Sequence, residues 1–485
     1  MDTTTTAIRV KPEPDNYRCT WHIPHDGGIL DLPGTLDLRA NRQPQGAIFS
    51  EIPGIWTIEG HTKTAGFPQE REFENLSCTF ENGLGAALLN CSMSIWAPSR
   101  VAIRAACALV GNADAVTAKE ISRVKVQVSG VDSLFGTAPI KGQSFPSTQG
   151  MVGGIGTWSV DQDPDSTQVW LDTKAELTAS FDSSITMADP YYFRMCHSPS
   201  IVIDLNDPID FDRVVDEWIA PLTDLVALAL GRPQRVTYLA VGKKPDEKRG
   251  HWDKLQVYGA RIHQEPYNSS LKGISNSHSV LNWSSDARNP LEALRAWQEL
   301  RVSHHPLVET YGSFLNVRAQ HPRASYLLLL QALEGLHGYE NYDAEKERGE
   351  RHRAQKQQIL ETVKSCLSFS SEDRKFLKRS ISNSPPKGLD SRLRESFMQV
   401  APDVLTQLAS TELIKGVMTD PRKPHDAADA LRIIRNDLAH GNKGYPVDDL
   451  RAVERILERV TRAHFLRVLG YPNSVLERAM RPTDS

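Results

Sequence analysis

The chain reads as α+β: a β-rich N-terminal half followed by an all-α half. Three observations predict this. Before about residue 205, short β-type runs are broken by turn residues. After Asn289-Pro290, apolar residues recur at helical spacing. All nine tryptophans lie at or before Trp297, so the last 188 residues have none.

In the first half, LSCTF, the Asn82-Gly83 hairpin signal and GAALLNCSMSIW predict two antiparallel strands joined by a tight turn. VAIRAACALV, TQVWLDTKAELTASF and SIVIDL continue the pattern, which predicts a twisted antiparallel sheet, a sandwich or an open barrel. The Gly/Ser-rich stretch from Lys141 to Gly156 reads as a loop. A helix is expected from Phe211 to Leu230, interrupted or kinked at Pro221. RVTYLAVG and KLQVYGARIH read as two further strands, which closes a first region over residues 1–280.

The second region, 288–485, opens with ALRAWQELRVSHHPLVETYGSFLNV and ASYLLLLQALEGLHGY. Leucines at 327, 328, 329, 330, 333 and 336 surround most of the latter helix and predict that it is central. Its remaining strip carries Gln331, Glu334 and His337. Residues 343 to 356 mix Asp343, Glu345, Glu347 and Glu350 with Arg348, Arg351, Arg353 and Lys356. That run reads as a solvated helix face or, alternatively, as an arm that touches RNA. Further helices are expected over about 391–408, 410–418, 425–440 and 448–469.

Composition excludes several classes. The N-terminus has neither a basic start nor an apolar core, unlike a signal peptide. The longest apolar run, Trp218 to Leu230, is broken by Pro221 and Asp224 and falls short of the roughly 20 residues a span needs. A cytoplasmic protein without membrane contact is therefore expected. Six cysteines are scattered without metal-ligand spacing, so no metal site is expected, and none is read as catalytic. There is no P-loop, HExxH or GxSxG, and no cofactor is expected. Net charge is −4, but it divides unevenly: +5 from Arg288 onward and −9 before it, a modest bias toward RNA handling in the second region.

One string carries chemistry: RNDLAHG, Arg435 to Gly441. An arginine can neutralise a pentacoordinate phosphate, and a histidine can move protons at neutral pH. Together they suffice to cleave RNA without a metal, because the ribose 2′-OH is itself the nucleophile. A second Arg/His pair, Arg459 and His464, has similar spacing. On a helical wheel Ala427, Leu431, Ile434 and Leu438 form an apolar stripe, with Asp429, Arg432, Asn436 and His440 opposite and Arg435 at the edge. His440 is thus wet and stands at a helix end marked by Gly441-Asn442. His464 falls on the apolar stripe of its own helix and reads as packed. Asn436 and His440 are i and i+4, so Asn436 can orient the imidazole. Arg435 and His440 are about 140° apart on a regular helix. Either the helix unwinds at His440, or a second copy of the chain completes the site. Glu334 and His337 can line the same cleft or pair with each other.

Arg435-Asn436 followed by His440-Gly441, on a penultimate helix, resembles the RNxxxH signature of HEPN domains. ASYLLLLQALEGLHGY resembles the first long helix of the ApeA-like branch, and LPGTLDLR (Leu32 to Arg39) resembles the ApeA N-terminal domain. The resemblance implies an all-α HEPN-like bundle. It implies a metal-independent endoribonuclease of an anti-phage abortive-infection system, built from paired helical domains. Arg435 and His440 would be catalytic and Asn436 supporting; Asp437 falls at a variable position of the signature. Implied partners are an RNA substrate, with tRNA suggested by analogy, a phage-derived trigger of protein nature, and a homodimer or higher even oligomer. The alternative is a non-catalytic helical module that binds nucleic acid or protein.

Overall fold

The computed structural model describes residues 6–25, 28–52, 54–59, 61–113, 120–144, 159–186, 194–245, 252–267, 279–317, 321–366, 369–382 and 388–482. The chain divides into two compact units, residues 1–294 and 295–485. No helix among the described residues is long and apolar enough to cross a membrane.

The first unit is built on a twelve-stranded, wholly antiparallel sheet that closes on itself at one end. β1 (Asn16–His25) and β2 (Gly28–Asp37) form a hairpin, followed by β3 (Gln45–Ile48). A small hairpin, β4 (Thr57–Glu59) with β5 (Thr62–Thr64), leads to the long strands β6 (Gln69–Phe80), β7 (Leu84–Ala97) and β8 (Arg100–Asn112). The order β8-β3-β2-β1-β6-β7 returns to β8, giving a closed six-stranded barrel rather than an open one. Closure leaves these strands few bare edges. Inward positions alternate with outward ones, as in Leu76, Cys78 and Phe80 of β6 or Val101, Ile103 and Ala105 of β8. At the barrel's centre the Trp21 indole is fully buried and donates to the Ala47 carbonyl at 3.2 Å. Gly34, in the LPGTLDLR string, makes room for it. A Cβ there would lie 2.6 Å from the indole ring, so only glycine fits.

β8 also carries the sheet out of the barrel. Residues 101–104 pair with β3, while residues 107–110 of the same edge pair with β16 (Leu255–Gly259). The extension continues through β15 (Val236–Gly242), β9 (Ile121–Val128), β14 (Arg194–Ile209), β13 (Ala175–Thr186) and β12 (Gln168–Leu171). A short α1 (Asp132–Phe135) follows β9, and β10 (Ile140–Ser144) pairs with β11 (Ser159–Gln162). Lys141 to Ser144, expected in a loop, are therefore strand; the remainder of that stretch up to Gly156 lies outside the described residues. The helix at Phe211 to Leu230 is interrupted ahead of Pro221, as expected. α2 (Phe211–Val214) and α3 (Ala220–Leu230) are joined by one π-helical turn, Val215–Ile219. The wider turn relieves the carbonyl that a proline cannot bond.

The segment after residue 279 belongs to the first unit. Trp283 stacks on Phe135 at 5.6 Å and donates its backbone N–H to the Leu134 carbonyl at 2.7 Å. From there the chain is helical: α4 (Pro290–Val302), α5 (Pro306–Val317), α6 (Pro322–Glu340), α7 (Tyr342–Ser365), α8 (Ser371–Ser380), α9 (Leu389–Val400), α10 (Val404–Ala409), α11 (Glu412–Met418), α12 (Ala427–His440), α13 (Val447–Val468) and α14 (Asn473–Met480). Two expected helices are each split. His304, with φ 51°, and Pro306 part α4 from α5, and Pro402 parts α9 from α10. α14 is additional to the expected helices, so α12 is third from the end rather than penultimate. α6 is central: Leu329, Leu330, Leu333 and Leu336 are buried, and Tyr326 donates to the Leu431 carbonyl of α12 at 3.0 Å. The mixed charge run forms α7, which buries no side chain.

Candidate active site

α12 begins with a strong cap. The Asp426 carboxylate accepts the Asp429 backbone N–H at 3.0 Å and is gripped by Arg394 of α9 at 2.6 and 3.2 Å. The predicted stripe Ala427, Leu431, Ile434 and Leu438 is buried. Burial also takes in Ala428, Asp429, Ala430, Ile433 and Asp437. The helix is enclosed on more sides than a wheel suggests, and Asp429 leaves the wet face.

The helix stays regular to its end. Gly441 adopts φ 71°, Asn442 N–H bonds the Asp437 carbonyl at 2.9 Å and Gly441 N–H bonds that of Leu438 at 3.4 Å. This is a Schellman ending, which needs a left-handed residue after His440. Unwinding, one of the two ways to bring Arg435 and His440 together, does not occur. The two side chains keep the separation of about 140° that an α-helix dictates.

His440 is exposed, and among the described residues no side chain bonds its imidazole. Asn436 does not orient it. Asn436 Oδ1 instead accepts from Arg435 Nη1 at 3.2 Å. Arg435, 40% exposed, also places Nη2 at 3.8 Å from Glu334 Oε2. Glu334 and His337 do not pair with each other. Glu334 reaches Arg435 and also Arg392 at 3.3 Å. His337 is buried, with Nε2 at 2.6 Å from Glu395 and Nδ1 at 3.6 Å from Glu345. Arg392 bridges Glu334 and Glu345, contacting the latter at 3.2 Å. A chain of ionic contacts thus runs from Arg435 through Glu334, Arg392 and Glu345 to His337, so Glu334 joins the Arg435 end of α12 while His337 lies deeper.

Asp437 has a role that its place in the string did not reveal. It is buried and receives Arg422 in a bidentate pair at 2.8 and 2.9 Å, from the loop before α12. It also receives the Tyr445 hydroxyl at 2.6 Å, from the loop after it. The Arg422 guanidinium holds the Asp437 carboxyl below its ordinary range, and burial together with that carboxylate pushes the Tyr445 phenol up. One carboxylate therefore ties both flanking loops to the last turn of α12. Arg323, in the first turn of α6, donates to the Leu438 carbonyl and steadies the same turn. A charged residue directly preceding a stripe leucine was the only sequence signal for Asp437. Arg323 and Arg422 gave none.

The other pair is structural. His464 is fully buried and donates from Nε2 to the Ser396 carbonyl at 2.9 Å, and burial pushes its pKa down to about 3. Arg459 contacts Gln407 at 3.3 Å.

Residues 327–475 match the family model described as Apea-like HEPN. No curated protein and no solved structure matches the chain. With the RNDLAHG string closing a capped helix against α6, the helical region spanning residues 327–475 belongs to the Apea-like HEPN family.

Proposed function

We propose that the chain is a metal-independent endoribonuclease of an anti-phage abortive-infection system. A nuclease-like role in abortive infection is what the HEPN family suggests in general. The observation that carries the finer reading is the end of α12, where an exposed His440 follows Arg435-Asn436 on a turn held by Asp437, Arg323 and the Gly441 ending. A general acid and a cation are presented on rigid backbone, the condition under which positioning contributes to rate.

In the reaction, the ribose 2′-OH attacks the adjacent phosphorus and the P–O5′ bond breaks. The products are a 2′,3′-cyclic phosphate and a 5′-hydroxyl. His440, as imidazolium, protonates the leaving O5′. Arg435 neutralises the charge that builds on the phosphoryl oxygens. Asn436 holds the Arg435 guanidinium. A regular helix aims Arg435 and His440 in different directions, so the site is completed by the same helix of a second copy, in a homodimer or higher even oligomer. The second copy's histidine takes the 2′-OH proton. Structured tRNA is the substrate suggested by analogy. The N-terminal unit senses a phage-derived protein and restrains the nuclease until then, since uncontrolled cleavage of host RNA kills the cell that makes it.

The test is sequencing of RNA ends after expression of wild type and His440→Ala, with cleavage assayed in EDTA. Cyclic phosphate ends that persist in EDTA and vanish in the variant support the reading. RNA that is retained but uncut by wild type favours a binding module instead.

A further inference from the structure

The barrel of the first unit carries an outward face whose charges complement themselves. On β6, Glu70 and Glu72 are exposed and point away from the core; on β8, Arg100 and Arg104 do the same. Between them on β7 lie Ser92 and Ser94, with Trp96 58% exposed on the same side. None of Glu70, Glu72, Arg100 and Arg104 forms an ion pair within the chain among the described residues. The register is definite. Glu72 pairs with Ser92, and Ser92 pairs with Arg104, so the three form one rung across the strands. The next rung is Glu70, Ser94 and Ala102. An acidic row and a basic row thus flank β7, about 10 Å apart at two strand spacings.

We propose that this β6-β7-β8 face pairs with the same face of a second copy, about a two-fold axis running nearly along β7. Rotation about that axis exchanges the β6 side with the β8 side and keeps height along the strand. Glu72 of each copy then faces Arg104 of the other, twice per contact, and the two Trp96 side chains meet near the axis. Rotation about an axis in the sheet plane perpendicular to the strands would instead keep β6 opposite β6 and β8 opposite β8, bringing like charges together. Serine and alanine on the middle rungs let two sheets approach to the usual ~10 Å, a gap that a glutamate and an arginine together span. Packed sheets cross at about 30°, which an axis roughly 15° off β7 supplies. The footprint, three strands over about 20 Å, is on the order of 300–400 Å² per copy, the range of weak contacts. The association is therefore concentration- and salt-dependent, and it is separate from any pairing through α12.

Sedimentation of the full-length chain up to about 100 µM tests this, since weak contacts assemble in that range. Wild type should gain mass with concentration, and Glu72→Arg or Arg104→Glu alone should abolish that gain, with unchanged circular dichroism. Mixing the two single variants should restore it, because both contacts of a mixed pair then join opposite charges. The double swap in one chain should also assemble. A wild type whose mass does not rise with concentration, single variants with wild-type mass, or a mixture that fails to reassociate would each overturn the proposal.

Discussion

Arg435 Nη2 lies 3.8 Å from Glu334 Oε2, so the cation at the end of α12 is met by a carboxylate from the middle of α6. Both side chains are more than a third exposed, and such a pair contributes little to stability, about 0–1 kcal/mol. Its effect is on direction: it fixes where the guanidinium stands. Glu334→Gln is expected to slow RNA cleavage about tenfold or less, with little change in melting temperature. Single-turnover cleavage alongside thermal unfolding checks this. A rate equal to that of Arg435→Ala would make Glu334 a participant in the chemistry instead.

His440→Ala and Arg435→Ala should each reduce cleavage by about 10²–10⁴-fold, the usual cost of removing a general acid or base or its electrostatic partner. Folding should be near normal, because His440 is exposed and Arg435 is not in the core. Asn436→Ala should be milder, since its amide holds Arg435 and does not touch His440. His464→Ala should do the reverse, destabilising by about 1–3 kcal/mol through a lost buried hydrogen bond while the folded fraction still cleaves. If His464→Ala removes cleavage from well-folded protein and His440→Ala does not, the assignment of the histidine is wrong.

Asp437 and His464 give acid sensitivity in two windows. The Asp437 carboxyl is held below 3.8 by Arg422. The folded state then binds this proton less readily than the unfolded one. The stabilisation is full above pH 3.8 and is lost as pH falls through the lower folded value. His464 is held down from 6.5 to about 3 by burial. The unfolded chain takes up that proton below pH 6.5 while the folded chain stays neutral, so stability declines from pH 6.5 toward 3. Urea unfolding across pH should show Asp437→Asn losing stability relative to wild type above pH 4 and converging with it in stronger acid. His464→Gln should flatten the slope between pH 6.5 and 3.

Restraint by the N-terminal unit is tested by growth of cells expressing the full chain, residues 288–485 alone, or the full chain with His440→Ala. The expected result is toxicity from the fragment and tolerance of the other two without phage. A fragment that folds, pairs and is harmless would show that the first unit builds or loads the site, and restraint should then be abandoned.

Periodicity and composition determined the α+β order, the hairpin at Asn82-Gly83, the central α6 and the helix that closes at Gly441. These depend on local rules: apolar spacing, turn residues and helix stops. They also separated His440 from His464, because the wheel places one on the wet side and the other in the stripe. Tertiary structure decided what depends on distant partners. Barrel closure rests on β8 pairing with β7 on one edge and with β3 on the other, which no local pattern encodes. Asp437 became the clasp of the site because Arg422 and Tyr445, on separate loops, converge on it, and a buried carboxylate without those donors would be too costly to keep.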